Sequence, residues 1–259
     1  MLHLISLLKD IQRLPELKQQ CKLLKIKVKA LQIQNEKLRR QKELLANRVP
    51  PSLNTLECNT TQSMNAFYSD ENNVNKYNDT LRRSVNESFL ELIVKKIKIS
   101  KNTKVLDAGC GLGILTKMVQ QKFHLEDMSG FDFSKVAIKK AGSKYKNINF
   151  FVHNIYNPLK ERYDVIICTE TIEHLTDPEK AVHNLLLALN PQGTLFLTVP
   201  DGRIDYSARH INFWSPESWK IYLKKLSDKK FAADTGVIQY PTKVNLRYNW
   251  AILTFKKGK

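Results

Sequence analysis

The run Val105-Leu106-Asp107-Ala108-Gly109-Cys110-Gly111-Leu112-Gly113 narrows the possible folds of this chain more than any other. A short apolar stretch enters a turn with three glycines in five residues, and helical spacing follows. Glycine accepts backbone conformations that other residues avoid and lets a ligand lie against bare main chain. The helix that opens there points its free amides at the ligand. A bare G-x-G-x-x-G string is weak evidence for a nucleotide site. This run differs in detail, reading D-A-G-C-G-x-G with an acid two residues before the first glycine. A second acid, Asp132, follows 19 residues after Gly113.

The surrounding pattern alternates. Residues 81–97 have helical apolar spacing. Strands are predicted at 104–108, 128–133, 148–152, 163–169, 193–199 and 251–255, and helices at 112–121, 134–145, 177–189 and 217–226. Strands alternating with crossover helices define an α/β fold with a parallel sheet covered on both faces. In such a sheet Asp132 ends the second strand, where a ribose diol can lie. The tail from Lys224 to Lys259 is lysine-rich and reads as a solvated face.

Two regions precede this domain. In residues 1–46, Leu14, Leu17, Cys21, Leu24, Val28, Leu31, Asn35, Leu38, Lys42 and Leu45 alternate three- and four-residue steps without a slip. Every d position is Leu, and Asn35 sits at an a position, which favours a parallel two-stranded coiled coil and hence a homodimer. The competing reading is one amphipathic helix on its own domain. A second stripe (Leu23, Ile26, Ala30, Ile33) needs its own cover. Residues 47–80 begin with Pro50-Pro51, are rich in Asn, Ser and Thr, and show no period; they read as a linker or a flap over the domain at 81–259.

With 42% hydrophobic residues the chain can build a sizeable core, which excludes a wholly disordered protein. No apolar run is long enough to cross a bilayer. Four cysteines without a Cys-x-x-Cys pair, and no signal-peptide pattern at the start, point to reduced thiols in a cytoplasm. The charge is the outlier: 42 basic against 25 acidic residues give +17. That suits an anionic partner such as RNA, a membrane surface touched peripherally by the basic N-terminus, or a phosphorylated substrate. It equally suits a lysine-rich protein with no such partner.

The segments VLDAGCGLG (105–113), GFDFS (130–134), NINFFVHNIYNPL (147–159), YDVIICTETIEHLTDP (163–178) and LNPQGTLFLTVP (189–200) resemble the class I S-adenosylmethionine-dependent methyltransferases, in order and in spacing. The resemblance implies a Rossmann-like seven-stranded sheet with the last strand antiparallel. It implies that Asp107, Gly109, Cys110, Gly111 and Gly113 hold the methionine end of S-adenosylmethionine. Asp132 would take the ribose hydroxyls and Phe133 would lie against adenine. His153, Asn154 and Ile155 would reach its edge, and Thr169 would complete the wall. The family often carries Asp where this chain has Asn154.

Glu170-Thr171-Ile172-Glu173-His174 follows the strand at 163–169. If a helical turn starts here, Glu173 and His174 share the face of Glu170. Two carboxylates and an imidazole suit either a divalent metal or acid/base work. The E-x-x-E-H string is similar to one in ubiquinone-type O-methyltransferases and to one in small-RNA 3′-terminal 2′-O-methyltransferases, where it helps bind a divalent cation. A later His210-x-x-x-Trp214-Ser215 resembles the RNA group's pattern, and also one common in glycan-cluster methyltransferases. Glu170, Glu173, His174 and His210 are therefore expected as ligands for Mg²⁺ or Mn²⁺. Without metal, Glu170, His174 and His210 form the acid/base set; the bland alternative makes Glu173 a helix cap and His210 a loop histidine.

The expected function is methylation of a hydroxyl on a small molecule, sugar or lipid-linked glycan. The alternatives are metal-dependent 2′-O-methylation of RNA 3′ ends, and a non-catalytic coiled-coil interaction protein.

Overall fold

A computed structural model describes residues 28, 59–77, 80–205, 207, 209–226, 230–239 and 246–256. The coiled-coil expectation for residues 1–46 lies outside the described residues, apart from Val28, which is helical.

The described chain runs α1 (Thr61–Ser69), α2 (Glu71–Tyr77), α3 (Thr80–Lys96), β1 (Val105–Ala108), α4 (Ile114–Phe123), β2 (Met128–Asp132), α5 (Lys135–Lys144), β3 (Asn149–Val152), β4 (Tyr163–Thr169), a 3-10 turn (Ile172–His174), α6 (Pro178–Leu187), β5 (Leu189–Pro200), α7 (Pro216–Leu226), β6 (Phe231–Gln239) and β7 (Arg247–Phe255). The strands form one seven-stranded sheet in the order β3-β2-β1-β4-β5-β7-β6. β1 to β5 pair in parallel; β7 runs antiparallel to both β5 and β6. The strand order reverses at β1/β4, and the carboxyl ends there open a crevice.

Alternation along each strand builds a core on both faces. Leu106, Ile166, Leu195 and Leu197 pack with Leu185 of α6 and Trp219 of α7. Their neighbours Val105, Val165, Ile167 and Phe196 pack with Phe89 and Ile93 of α3 and Val119 of α4. Successive side chains point to opposite faces, so each strand must be apolar throughout. Local signals set the helix starts. Ser134 caps α5 by accepting from the Ala137 amide, and Asp177 caps α6 by accepting from the Lys180 amide, with Pro178 in the first turn.

The structure corrects one expectation. The lysine-rich tail is not simply a solvated face: β6 and β7 lie within it, and β7 is almost wholly buried between β5 and β6. Within 47–80, expected as a linker or a flap, the described residues from 61 to 77 form two helices. Among the described residues, no helix is long and apolar enough to cross a membrane.

Candidate active site

Gly109, Gly111 and Gly113 all take positive φ (79°, 52° and 72°), the left-handed region that favours glycine. All three also lack room for a side chain, Gly109 and Gly113 most of all. A Cβ on Gly109 would lie 2.3 Å from Thr171 Oγ1, and one on Gly113 would lie 2.6 Å from the Phe150 ring. The turn is pinned from β2, whose Phe131 carbonyl accepts from both the Gly109 and Cys110 amides (2.8 and 2.9 Å). Asp132, ending β2, accepts from the Gly111 amide (3.1 Å) and the Ser134 amide (2.8 Å). Asp107 accepts from Thr116 Oγ1 at 2.6 Å. Burial pushes the Asp107 carboxyl up to about 7 against the Thr116 bond, and the Asp132 carboxyl up to about 6 against its amide donors.

Residues 59–68 cover this turn. Thr60 caps α1 by accepting from the Ser63 amide. Tyr68 is buried and sets its hydroxyl where a Cβ on Gly111 would go, 2.9 Å away. Asn65 Oδ1 accepts from Ser134 Oγ at 2.8 Å. On the far side, Asn59 Nδ2 donates to the Arg209 carbonyl (2.9 Å), and the Arg209 guanidinium stacks 3.9 Å over the Phe67 ring. Together these segments enclose a cavity of about 440 Å³.

At one end of the cavity the 3-10 turn brings functional groups together. Glu170 itself is in the left-handed region (φ 51°), so the chain turns sharply after β4. Its Oε1 accepts from Thr198 Oγ1 at 3.2 Å. Burial raises the Glu170 carboxyl to about 7, although Arg82 and His210 oppose the rise. Glu173 is fully buried, and neither carboxylate oxygen has a hydrogen-bond partner. Burial and the neighbouring Glu170 hold its carboxyl well above the usual range. His174 Nδ1 bonds the Arg209 carbonyl at 3.0 Å, which leaves Nε2 facing Glu173 Oε1 at 3.8 Å. Burial, followed by His210, pushes His174 down to about 3, so its ring is neutral and this approach is not an ion pair. His210 Nδ1 bonds Asp205 Oδ2 at 2.5 Å, and its ring stands edge-on to His174 at 4.6 Å.

One ligand atom each from Glu173, His174 and His210 lies within 4.8 Å of the others. An unpartnered buried carboxylate beside two imidazoles fits a divalent cation. The carbonyl behind His174 and the carboxylate behind His210 are the partners that orient ligating histidines. Glu170, expected as a fourth ligand, lies outside this group.

The cavity collects Asp107, Gly109, Cys110, Gly111, Asp132, Phe133, His153, Asn154, Ile155, Thr169, Glu170 and His174 from the expected set. Gly113, Glu173 and His210 do not line it. Gly113 instead takes the N-cap position of α4, packed against Phe150. Asn154 Oδ1 accepts from the Tyr156 amide, so that oxygen is used locally. Sequence reasoning offered 47–80 only as a linker or flap and named none of the wall residues Asn59, Met64, Tyr68, Arg82 and Asn86. The only signal was Thr60 followed three residues later by Ser63, a short cap without an apolar run behind it. Asp205, the partner of His210, was missed as well.

Residues 77–246 match the family described as "Methyltransferase domain", and the chain belongs to that family. It is 26% identical over 136 residues to malonyl-[acyl-carrier protein] O-methyltransferase of Bacillus anthracis (51% of this chain, 50% of that one). It is 32% identical over 120 residues to ubiquinone biosynthesis O-methyltransferase of Coxiella burnetii strain Dugway 5J108-111 (44% and 50%). The chain thus spans about half the length of these curated relatives. Among solved structures, magnesium protoporphyrin IX methyltransferase of Synechocystis PCC 6803 with bound SAH shares the fold at TM-score 0.53 and 16% identity (67% of this chain, 83% of that one).

Proposed function

We propose that this protein is an S-adenosylmethionine-dependent O-methyltransferase whose acceptor is a hydroxyl on a small molecule, sugar or lipid-linked glycan. The observation that carries the reading is a single cavity bounded by the glycine turn and Asp132 at one end and by Glu170 and His174 at the other. S-adenosylmethionine, when bound, supplies an electrophilic sulfonium methyl. The glycine turn would offer it bare backbone, Asp132 could accept from ribose hydroxyls, and Phe133 with His153 to Ile155, which line the same cavity, would hold the adenine. The cover at residues 59–68, which lines this cavity, would keep water from the reacting methyl.

Methylating a hydroxyl releases one proton. Glu170 is suited to receive it, because its carboxyl, at about 7, is matched to neutral pH and lines the cavity. His174, pushed down to about 3, is a poor base but a good neutral ligand. A divalent cation held by Glu173, His174 and His210 would polarise an acceptor oxygen and lower its pKa.

That three-donor cluster favours a second reading, metal-dependent 2′-O-methylation of RNA 3′ ends. The test is transfer of radiolabelled methyl from S-adenosylmethionine into fractionated cell extract, with and without EDTA. Label in the lipid, glycan or small-molecule fraction supports the first reading. Label in small RNA that EDTA abolishes supports the second. Failure of the purified protein to bind S-adenosylhomocysteine would leave the non-catalytic reading. For residues 1–46 the seam supports a parallel homodimer, which sedimentation of the full chain against a chain lacking them tests; loss of vesicle co-sedimentation in the shortened chain would instead implicate them in peripheral membrane contact.

A further inference from the structure

Residues 209–212 form a strap between the cover and the 3-10 turn. On the turn side, the Ile211 and Asn212 amides donate to the Glu173 carbonyl (2.9 and 3.0 Å), and Asn212 Nδ2 donates to the Leu175 carbonyl (2.7 Å). On the cover side, the Arg209 guanidinium lies over Phe67, and its Nη1 reaches Met64 Sδ at 4.0 Å. The Arg209 carbonyl belongs to both sides. It accepts from Asn59 Nδ2 at 2.9 Å and from His174 Nδ1 at 3.0 Å. A carbonyl oxygen has two lone pairs, and these two donors use both.

The shared acceptor also fixes how His174 faces the cluster. A carbonyl only accepts, so in the neutral ring Nδ1 carries the proton and Nε2 presents its lone pair toward Glu173 Oε1, 3.8 Å away. The direction of that lone pair depends on where the Arg209 carbonyl stands, and Asn59 holds the carbonyl from the cover. The same peptide unit leads directly into His210, another member of the three-donor cluster.

The cover has a second attachment at the glycine turn, where the Tyr68 hydroxyl fills the space beside Gly111 and Asn65 Oδ1 accepts from Ser134 Oγ. Asn59, Met64 and Tyr68 line the cavity together with Gly111 and Asp132. A ligand that fills the cavity against the turn therefore touches the cover and favours its closed position. The closed cover places Asn59 on the Arg209 carbonyl, and through it sets His174 and His210.

We infer that Asn59 is a positioning residue that ties closure of the cover to the placement of His174 through the Arg209 carbonyl, so that an S-adenosyl ligand and a divalent cation bind cooperatively. This inference rests on the methyltransferase reading and on the candidate cation cluster, and it adds the route by which the two sites communicate. Such coupling is reciprocal: each ligand tightens the other by the same factor.

Calorimetry on the full chain measures the Mn²⁺ Kd with and without saturating S-adenosylhomocysteine, and the S-adenosylhomocysteine Kd with and without saturating Mn²⁺. In wild type each ligand should tighten the other about fivefold or more, by equal factors. Asn59→Ala should bring both factors toward one, a loss on the scale of one hydrogen bond, while still binding each ligand alone, which also shows that it folds. Asn59→Gln keeps an amide donor and should recover part of the coupling. Phe67→Ala frees the Arg209 side chain but leaves the Asn59 bond, so its coupling should fall between wild type and Asn59→Ala; it carries the comparison if Asn59→Ala does not fold. No coupling in a wild type that binds both ligands, or coupling in the variants equal to that of wild type, overturns the inference alone. Mn²⁺ affinity that falls in Asn59→Ala by the same factor with and without S-adenosylhomocysteine also overturns it, leaving Asn59 a structural contact. A wild type that binds S-adenosylhomocysteine but no Mn²⁺ overturns the cation cluster and the inference with it. A wild type that binds no S-adenosylhomocysteine overturns the methyltransferase reading beneath both.

Discussion

Gly109→Ala tests the turn at its tightest point. Gly109 has φ 79°, and its amide is held 2.8 Å from the Phe131 carbonyl, so the turn cannot easily back away. The new Cβ would meet Thr171 at 2.3 Å from Oγ1 and 2.7 Å from Cγ2. The left-handed backbone alone costs alanine about 1–2 kcal/mol. Moving Thr171 breaks its 3.0 Å bond to the Thr169 carbonyl, about 1 kcal/mol more. A total of about 2–3 kcal/mol lowers the melting temperature by roughly 4–12 °C for a domain of this size. Adding Thr171→Ala removes the clashing atoms but leaves the backbone strain. The double variant should therefore be no less stable than Gly109→Ala alone, a coupling of about 1 kcal/mol. Thermal melts of the four proteins measure this. Losses that simply add, or a Gly109→Ala protein that melts with the wild type, would refute the argument that Thr171 and the turn are built around a missing Cβ.

Three further expectations are simpler. Mn²⁺ at about a hundredfold over its Kd should stabilise wild type by about 2.7 kcal/mol, or roughly 5–11 °C; Glu173→Gln should lose that shift, and an equal shift in both proteins rejects Glu173 as a ligand. The folded value of Asp107, about 7, exceeds the ordinary carboxylate value, so its stabilising contribution is full below about pH 4 and is lost as pH climbs through 7. Asp107→Asn should accordingly flatten the fall in melting temperature over that window, and an unchanged slope counts against the burial argument. Phe67→Ala removes the ring under Arg209, about 1 kcal/mol, and should raise opening of the 59–77 cover about fivefold; unchanged tryptic cleavage after Arg209 would show that the stacking does not hold it shut.

The sheet was legible because its signals are local. Val105–Ala108, Met128–Asp132 and Tyr163–Thr169 are short buried runs followed by glycine, serine or threonine turns, and each spacing forces a crossover helix. β6 was not legible. Its burial pattern is mostly exposed or intermediate, its residues include Asp234 and Gly236, and it exists because β7 offers it a ladder from Phe231 to Gln239. Pairing supplied by a strand some sixteen residues later leaves no period in the strand's own sequence. The cover at 61–77 is polar for the same kind of reason: its few buried groups, such as Tyr68, are matched to the glycine turn and not to a continuous apolar stripe.

The candidate site divides along the same line, and the division bears on its chemistry. Residues on or beside strands, from Asp107 to Thr169, could be placed by order alone. The string Glu170 to His174 identified its own chemistry but not its geometry, because a helical turn starting at Glu170 would have put both carboxylates on one face. Instead Glu170 adopts φ 51°, and the helical turn starts only at Ile172. That one residue turns Glu173 inward to His174 and His210 while Glu170 stays against Thr198 on the cavity wall. Two carboxylates three residues apart thus receive different work, one as a candidate ligand and one as a candidate base. A glycine at 170 would relax the φ but remove the base; Glu170→Gln should instead keep the turn and the Mn²⁺-dependent thermal shift while lowering methyl transfer by about 10²–10⁴-fold, the usual contribution of general-base catalysis. Loss of the Mn²⁺ shift in Glu170→Gln would return that carboxylate to the ligand set.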